Sequence, residues 1–216
     1  MGYTLAEARS IVADHLDDAG NDRWSASQLD YGLKYALDAC ISEYLASGGD
    51  RLNEILSTTS TASGTVALSS YDPKKISNVT LVIGSVFFPI QEVDYHERVL
   101  NDQSAKTVEI SYVRTFVLPT TTTHPLVGNG ATAAKSFGAL ENWICARAAL
   151  FCSVKDAESR PELRALEQEM KDAVMLNPSI PKSLAFPDKP HAYSNWFAWA
   201  YKPDTQTIQI GRKGWF

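Results

Sequence analysis

Cysteine is scarce in this chain of 216 residues, which contains only three. Cys40, Cys145 and Cys152 have no metal-binding spacing, and an odd number of thiols cannot all pair as disulfides. All three fall on the apolar faces of predicted helices. We therefore expect reduced, buried thiols in a chain that folds in the cytoplasm, and no disulfide framework.

A strong excess of one charge is also missing. The chain has 20 lysines and arginines against 25 aspartates and glutamates, a net charge of −5. Proteins whose main role is to grip phosphate carry clustered, excess basic residues, so a nonspecific nucleic-acid binder is not expected. Long apolar runs are absent too: the stretch 143–150 is interrupted by Arg147, and we expect no membrane span and no membrane partner.

Catalytic and metal-binding motifs are not found. The four histidines form no HExxH or HxH pair: His15, His96, His124 and His191. Asp94, His96 and Glu97 are close in sequence, but a polar helix start explains them better than a metal site, and residues 17–22 suit a capping turn better than a calcium loop. We expect no metal, no cofactor and no catalytic residue. A small hydrolase with a dispersed site is the alternative from another class.

Four segments have apolar residues at the spacing of an amphipathic helix, and they predict helices at 4–18, 25–47, 137–157 and 161–176. The first opens with Thr4-Leu5-Ala6-Glu7, the pattern of a capping box. Between the second and third helices, residues 52–117 are rich in threonine, serine and β-branched residues. The strict alternation over 107–113 is typical of a strand with one buried face.

This order of elements predicts an α+β fold. We expect a core at 1–176, built as a helical bundle with a small antiparallel β part inserted at 52–117. The threonine-rich stretch 120–130 is expected to be an exposed, mobile loop.

The C-terminal segment 177–216 combines five prolines, which prevent a continuous helix, with many aromatic residues. A segment this hydrophobic needs to be covered, either by its own domain or by another chain. We favour the second and predict an extended arm that binds a partner, in which the alternating stretch 205–210 suits strand addition. The predicted interface residues are Tyr193, Trp196, Phe197, Trp199, Tyr201, Ile208, Ile210, Trp215 and Phe216.

Two stretches are similar to a known family. Asn21-Asp22-Arg23-Trp24-Ser25, leading into Leu29 and Leu33, resembles the N-terminal helix signature of head-to-tail adaptor (connector, or head-completion) proteins of tailed bacteriophages. The strand at 108–114, followed by a loop and the helix from 137 to 154, resembles them as well. The resemblance covers about residues 3–176 and lies in pattern more than in identity.

The resemblance implies a structural, non-enzymatic virion protein made in the host bacterial cytoplasm. Copies would form a ring, usually a dodecamer, in the neck between head and tail. The partners would be the portal protein, reached by the arm at 177–216, and a tail or nozzle protein below. Double-stranded DNA would pass through the lumen during genome ejection without specific binding. The loop at 120–130 would face a neighbour or the tail, and another neck or tail-completion component is the alternative.

Overall fold

The computed structural model describes residues 2–18, 20, 22–49, 51–92, 99–100, 104–129, 132–133, 138–155, 160–175 and 197–213. The chain divides into two compact units. We call Met1–Leu52 with Phe116–Ile180 the helical unit, and Asn53–Thr115 with Pro181–Phe216 the sheet unit.

The helices and strands follow one another along the chain in an order that groups helices at the start and strands in the middle. They are α1 Leu5–His15, α2 Ala26–Ala46, β1 Glu54–Thr59, β2 Thr65–Ala67, β3 Pro73–Ile83, β4 Val86–Glu92, β5 Val99–Leu100, β6 Thr107–Arg114, β7 Gly128–Asn129, β8 Thr132–Ala133, α3 Gly138–Lys155, α4 Pro161–Met175, β9 Phe197–Lys202 and β10 Thr207–Lys213.

The helical unit packs α3 against the other three helices. The capping box predicted at the start of α1 is present, since the Glu7 N–H donates to Thr4 Oγ1 (3.2 Å) and the Thr4 N–H donates to Glu7 Oε2 (2.7 Å). Apolar side chains of all four helices are buried: Leu5, Val12, Leu29, Leu33, Leu37, Leu140, Trp143, Ile144, Leu163 and Val174.

The three cysteines are buried in this helical unit and form no disulfide, as the sequence predicts. Burial, with a smaller contribution from the neighbouring Glu141, raises the pKa of the Cys145 thiol to about 12. Burial also raises the pKa of Cys40. These thiols are therefore protonated near neutral pH and poorly reactive.

The loop at 120–130, which was expected to be exposed, packs against the start of α1. The N–H groups of Leu5 and Ala6 donate to the carbonyls of His124 (2.9 Å) and Thr122 (3.0 Å). These N–H groups belong to the first turn of α1 and have no partner inside the helix, so the loop caps the helix. Leu126 and Val127 are fully buried, and the expectation of an exposed loop is wrong for this part of it.

The sheet unit contains one sheet of eight strands among the described residues, in the order β1-β6-β3-β4-β9-β10-β2, with β5 also paired to β10. All pairs are antiparallel except β4 with β9, where Gln91 lies opposite Ala198 and Glu92 opposite Trp199 in parallel register. The sheet is therefore mixed. Its core gathers side chains from both ends of the chain: Val66, Leu68, Val79, Leu81, Ile90, Val108, Ile110, Tyr112, Trp199, Ile208 and Ile210.

The predicted fold class, α+β as a helical bundle with a small antiparallel insertion and an extended C-terminal tail, is therefore wrong. The sheet is large and mixed, and it is a compact unit with its own core. The described part of the tail consists of two of its strands, β9 and β10. The alternating apolar residues of this tail find both backbone partners and a hydrophobic face within their own chain, which removes the reason for an extended arm.

Gly64 lies against the backbone of β10. Its φ is +79°, and its carbonyl accepts a hydrogen bond from the Ile210 N–H (2.8 Å). A Cβ at position 64 would overlap the Ile210 carbonyl oxygen, whereas at Gly84, with φ +62°, a Cβ would meet nothing within 4 Å. Comparing substitutions at the two glycines therefore distinguishes the energetic cost of the steric contact from the cost of the positive φ alone.

We expect Gly64→Ala to lower the free energy of unfolding by about 2 kcal/mol more than Gly84→Ala, because only the first adds a backbone clash to the left-handed strain. Gly84→Ala is expected to cost about 1 kcal/mol. Urea denaturation followed by circular dichroism measures both values. Equal losses for the two variants would contradict the close approach of Gly64 to β10.

Candidate interaction surfaces

The described residues contain no group of three or more histidine, cysteine, aspartate or glutamate side chains that could hold a metal ion. Asp94, His96 and Glu97, the residues of the hydrolase alternative, lie outside the described part of the chain. Among the described helices, none is long and apolar enough to cross a membrane.

The turn that carries part of the family resemblance is organised around Asp18. Its carboxylate accepts hydrogen bonds from the backbone N–H groups of Asp22 (3.0 Å), Arg23 (3.1 Å) and Trp24 (2.8 Å). Burial opposes the charge on Asp18, but these hydrogen bonds outweigh it and lower the pKa of the carboxyl. This arrangement is the capping turn that the sequence favours over a calcium loop.

Of the nine predicted partner-binding residues, five lie in the described part of the chain, and Tyr193, Trp196, Trp215 and Phe216 lie outside it. Trp199 is 2% exposed, and Ile208 and Ile210 are fully buried. The Trp199 indole N–H donates to the Ile90 carbonyl of β4 (3.2 Å). These three residues cover their own sheet, which is the first of the two alternatives that the sequence leaves open.

The remaining two described residues of this set, Phe197 and Tyr201, are half-buried and pack against the same core. The Lys106 ammonium lies 5.1 Å from the centre of the Phe197 ring. A cation at this distance is attracted to the face of the ring. In this conformation the described part of the predicted interface serves the internal packing of the sheet unit.

A different aromatic surface is exposed on the helical unit, and it is not among the interface residues predicted from the sequence. Tyr31 and Tyr35 on α2 are both exposed, and each contacts Phe151 on α3. The Tyr35 and Phe151 rings stack with centroids 4.4 Å apart. The signal available in the sequence was the spacing: Tyr31 and Tyr35 are four residues apart, on a face of α2 next to the predicted apolar stripe.

Beside these tyrosines lies a groove with a volume of about 520 Å³. We call it the tyrosine groove, and its lining is Tyr31, Lys34, Tyr35, Leu37, Asp38, Ala39, Phe116, Val117 and Leu118. Val117 is 68% exposed, and Phe116 is buried. The groove is therefore mostly apolar and carries one positive and one negative side chain.

A network of charged side chains next to Tyr35 ties α2, α3 and α4 together. Arg147 Nη1 lies 2.6 Å from Glu43 Oε1, and Lys171 Nζ lies 2.8 Å from Glu43 Oε2. Burial opposes the charge on Glu43, but the hydrogen bonds from Lys171 and Arg147 outweigh it and lower its pKa. The network is thus charged at neutral pH, and its contribution to stability is lost as the pH falls through the lowered pKa of Glu43.

The second exposed apolar surface is the end of the β3–β4 hairpin, which we call the hairpin tip (residues 82–87). Leu81 is 3% exposed, whereas Ile83, two residues further on the same face of β3, is 44% exposed. Val86 and Phe87 are each 52% exposed. The hairpin therefore continues beyond the core of the sheet and presents apolar side chains to solvent.

The sequence predicts a turn at Gly84-Ser85 but not the exposure of its flanks. The available signal was the run of apolar residues on both sides of the turn without a single charge from 79 to 91. Exposed turns usually carry polar residues, so an apolar tip of this kind is a candidate contact surface.

The chain matches no protein-family model, and a comparison with curated proteins gives no match either.

Proposed function

We propose that this protein is a structural subunit of the neck of a tailed bacteriophage. Copies form a ring that joins the portal to the tail and through which the genome passes. Two independent arguments support the proposal: the sequence resemblance over about residues 3–176, and the presence of two different exposed apolar surfaces. The second argument is the observation on which the proposal chiefly rests.

A ring of identical subunits joined head to tail needs two different, complementary surfaces on every copy. The tyrosine groove belongs to the helical unit and the hairpin tip belongs to the sheet unit. One surface is concave and the other protrudes. A dimer with two-fold symmetry would instead pair one surface with itself, and it would leave the other uncovered.

The charge of the chain suits a DNA passage. A lumen through which DNA slides benefits from a surface that does not hold phosphate strongly, and the net charge of −5 is of the appropriate sign. The proposal assigns no catalytic role to any residue. Contact with the portal is assigned to the C-terminal residues outside the described chain, because Trp199, Ile208 and Ile210 are occupied in the sheet core.

Electron microscopy of the purified protein mixed with the portal of the same virus tests the proposal. We expect a second ring stacked on the portal, in images where the portal alone shows one ring and the protein alone shows none. Failure to add a ring at saturating protein would contradict the proposal. Binding to the tail tube without binding to the portal would favour a tail-completion component.

A further inference from the structure

We propose that the hairpin tip of one copy inserts into the tyrosine groove of the next copy. The inference rests on the proposed function, since it names the contact that would join neighbouring subunits of the ring. It places Phe87 and Val86 of one subunit against Tyr31, Tyr35 and Val117 of its neighbour.

The hairpin tip is suited to insertion because it carries no charge that would have to be removed from water. Val82 lies directly opposite Phe87, and Ile83 lies opposite Val86, so each face of the tip presents a pair of apolar side chains. Burying such side chains is favourable in proportion to the apolar area removed from water. A charged tip would instead need a partner for each charge inside the groove.

The groove has matching properties. Its volume of about 520 Å³ falls in the range of about 300–1,000 Å³ that is typical of ligand pockets. Tyrosine walls offer large contact area at little cost in side-chain entropy. Lys34 and Asp38 have opposite charges and lie four residues apart on α2, so the groove carries no net charge and complements an uncharged ligand.

The area of the contact favours a second copy of this chain as the occupant. Half of a phenylalanine side chain is on the order of 100 Å², so the tip buries a few hundred Å² at most, against about 800 Å² per partner in a stable complex of two proteins. A single contact of this size is weak. In a closed ring every copy makes the contact twice, and the repeated contacts stabilise the assembly together.

Charge substitutions on both sides test the contact, with the portal-stacked ring as the readout. We expect Phe87→Asp and Val117→Lys each to reduce the yield of rings by about tenfold or more, as substitutions at interface hot spots do. Combining the two in one chain is expected to restore rings, because each aspartate then meets a lysine of the neighbour. Circular dichroism confirms that each variant is folded.

Two exposed positions outside the contact provide matched controls. Ile55→Asp introduces the same negative charge as Phe87→Asp, at a residue of the sheet unit that is 68% exposed. Val154→Lys introduces the same positive charge as Val117→Lys, at a residue of the helical unit that is 57% exposed. Both are expected to form rings in normal yield. A loss of rings in these controls equal to that of Phe87→Asp and Val117→Lys would overturn the proposal.

Cross-linking tests this contact without the portal, and therefore independently of the proposed function. The native cysteines are buried, so a chain with Phe87→Cys and Val117→Cys exposes only the introduced thiols. At high protein concentration, mild oxidation is expected to give a ladder of disulfide-linked oligomers on non-reducing gels, and a mixture of the two single variants is expected to stop at dimers.

The outcomes are distinct. A ladder without a portal-stacked ring supports the contact and contradicts the proposed function. Normal ring yields from each of the two single variants, Phe87→Asp and Val117→Lys, together with no ladder from the double cysteine chain, would overturn the contact without contradicting the proposed function. A third outcome would identify the portal as the partner of the tip. In that case Phe87→Asp loses portal binding, Val117→Lys forms rings in normal yield, and the double cysteine chain gives no ladder. This outcome would overturn the contact between copies.

Discussion

Deletion of residues 192–216 is expected to unfold the sheet unit while the four helices of the helical unit remain folded. The deletion removes β9 and β10, which lie between β4 and β2 in the sheet. It also removes Trp199, Ile208 and Ile210 from the core. Loss of one buried tryptophan alone costs about 3–5 kcal/mol, and loss of all three side chains with two strands exceeds the 5–15 kcal/mol that typically stabilises a domain.

Amide hydrogen exchange measures this effect strand by strand. We expect protection to disappear from β3, β4 and β6 and to persist in α2 and α3, whose contacts lie within the helical unit. A chain that lacks only residues 214–216 is the matched control, since it retains all of β10. Protection of β3 and β6 in the longer deletion would show that the tail is not needed by the sheet.

Replacement of Trp143 by alanine is expected to lower the free energy of unfolding of the helical unit by about 3–5 kcal/mol. Trp143 is fully buried on α3, and its indole N–H donates to Glu167 Oε1 on α4 (2.7 Å). The Arg147 guanidinium and the Lys171 ammonium each lie 5.9 Å from the centre of its ring. The substitution therefore creates a cavity and also removes a hydrogen-bond donor from a carboxylate.

Urea denaturation of Trp143→Ala, Trp143→Phe and Val154→Ala separates these contributions. Trp143→Phe retains most of the packing and loses the hydrogen bond, so its cost should fall between those of the other two. Val154→Ala lies on the exposed side of the same helix and should change stability by no more than about 0.5 kcal/mol. A loss below about 1 kcal/mol for Trp143→Ala would contradict its central place in the packing.

The helices were accessible to prediction from local patterns. The spacing of Leu5, Ala8 and Val12, together with the capping box, indicates a helix over 4–18, and α1 covers Leu5–His15. The turn predicted at Gly84-Ser85 depends on an equally local signal, and Gly84 has a positive φ. Such signals act between residues a few positions apart, so that the remainder of the chain has little influence on them.

The size of the sheet could not be predicted from local sequence patterns. β9 pairs with β4, which is about a hundred residues earlier in the chain, and the pairing is parallel. The alternating residues of the tail predict a strand but contain no information about its partner. For this reason the same aromatic residues could be interpreted as an arm for another protein.

The candidate surfaces depend on the tertiary structure for the same reason. Phe87 and Phe88 are adjacent apolar residues in the sequence, and yet Phe88 packs against the sheet core and Phe87 is half exposed. The spacing of Tyr31 and Tyr35 places them on one side of α2, but the groove beside them exists only because residues 116–118 lie next to α2.

The amino-acid sequence by itself determined where the helices and turns lie, because apolar spacing, caps and glycine conformation are properties of short segments. Only the tertiary structure decided that the aromatic C-terminal segment covers its own sheet, and which apolar side chains remain outside. Burial is a property of contacts between distant residues, and those contacts exist only once the chain has folded.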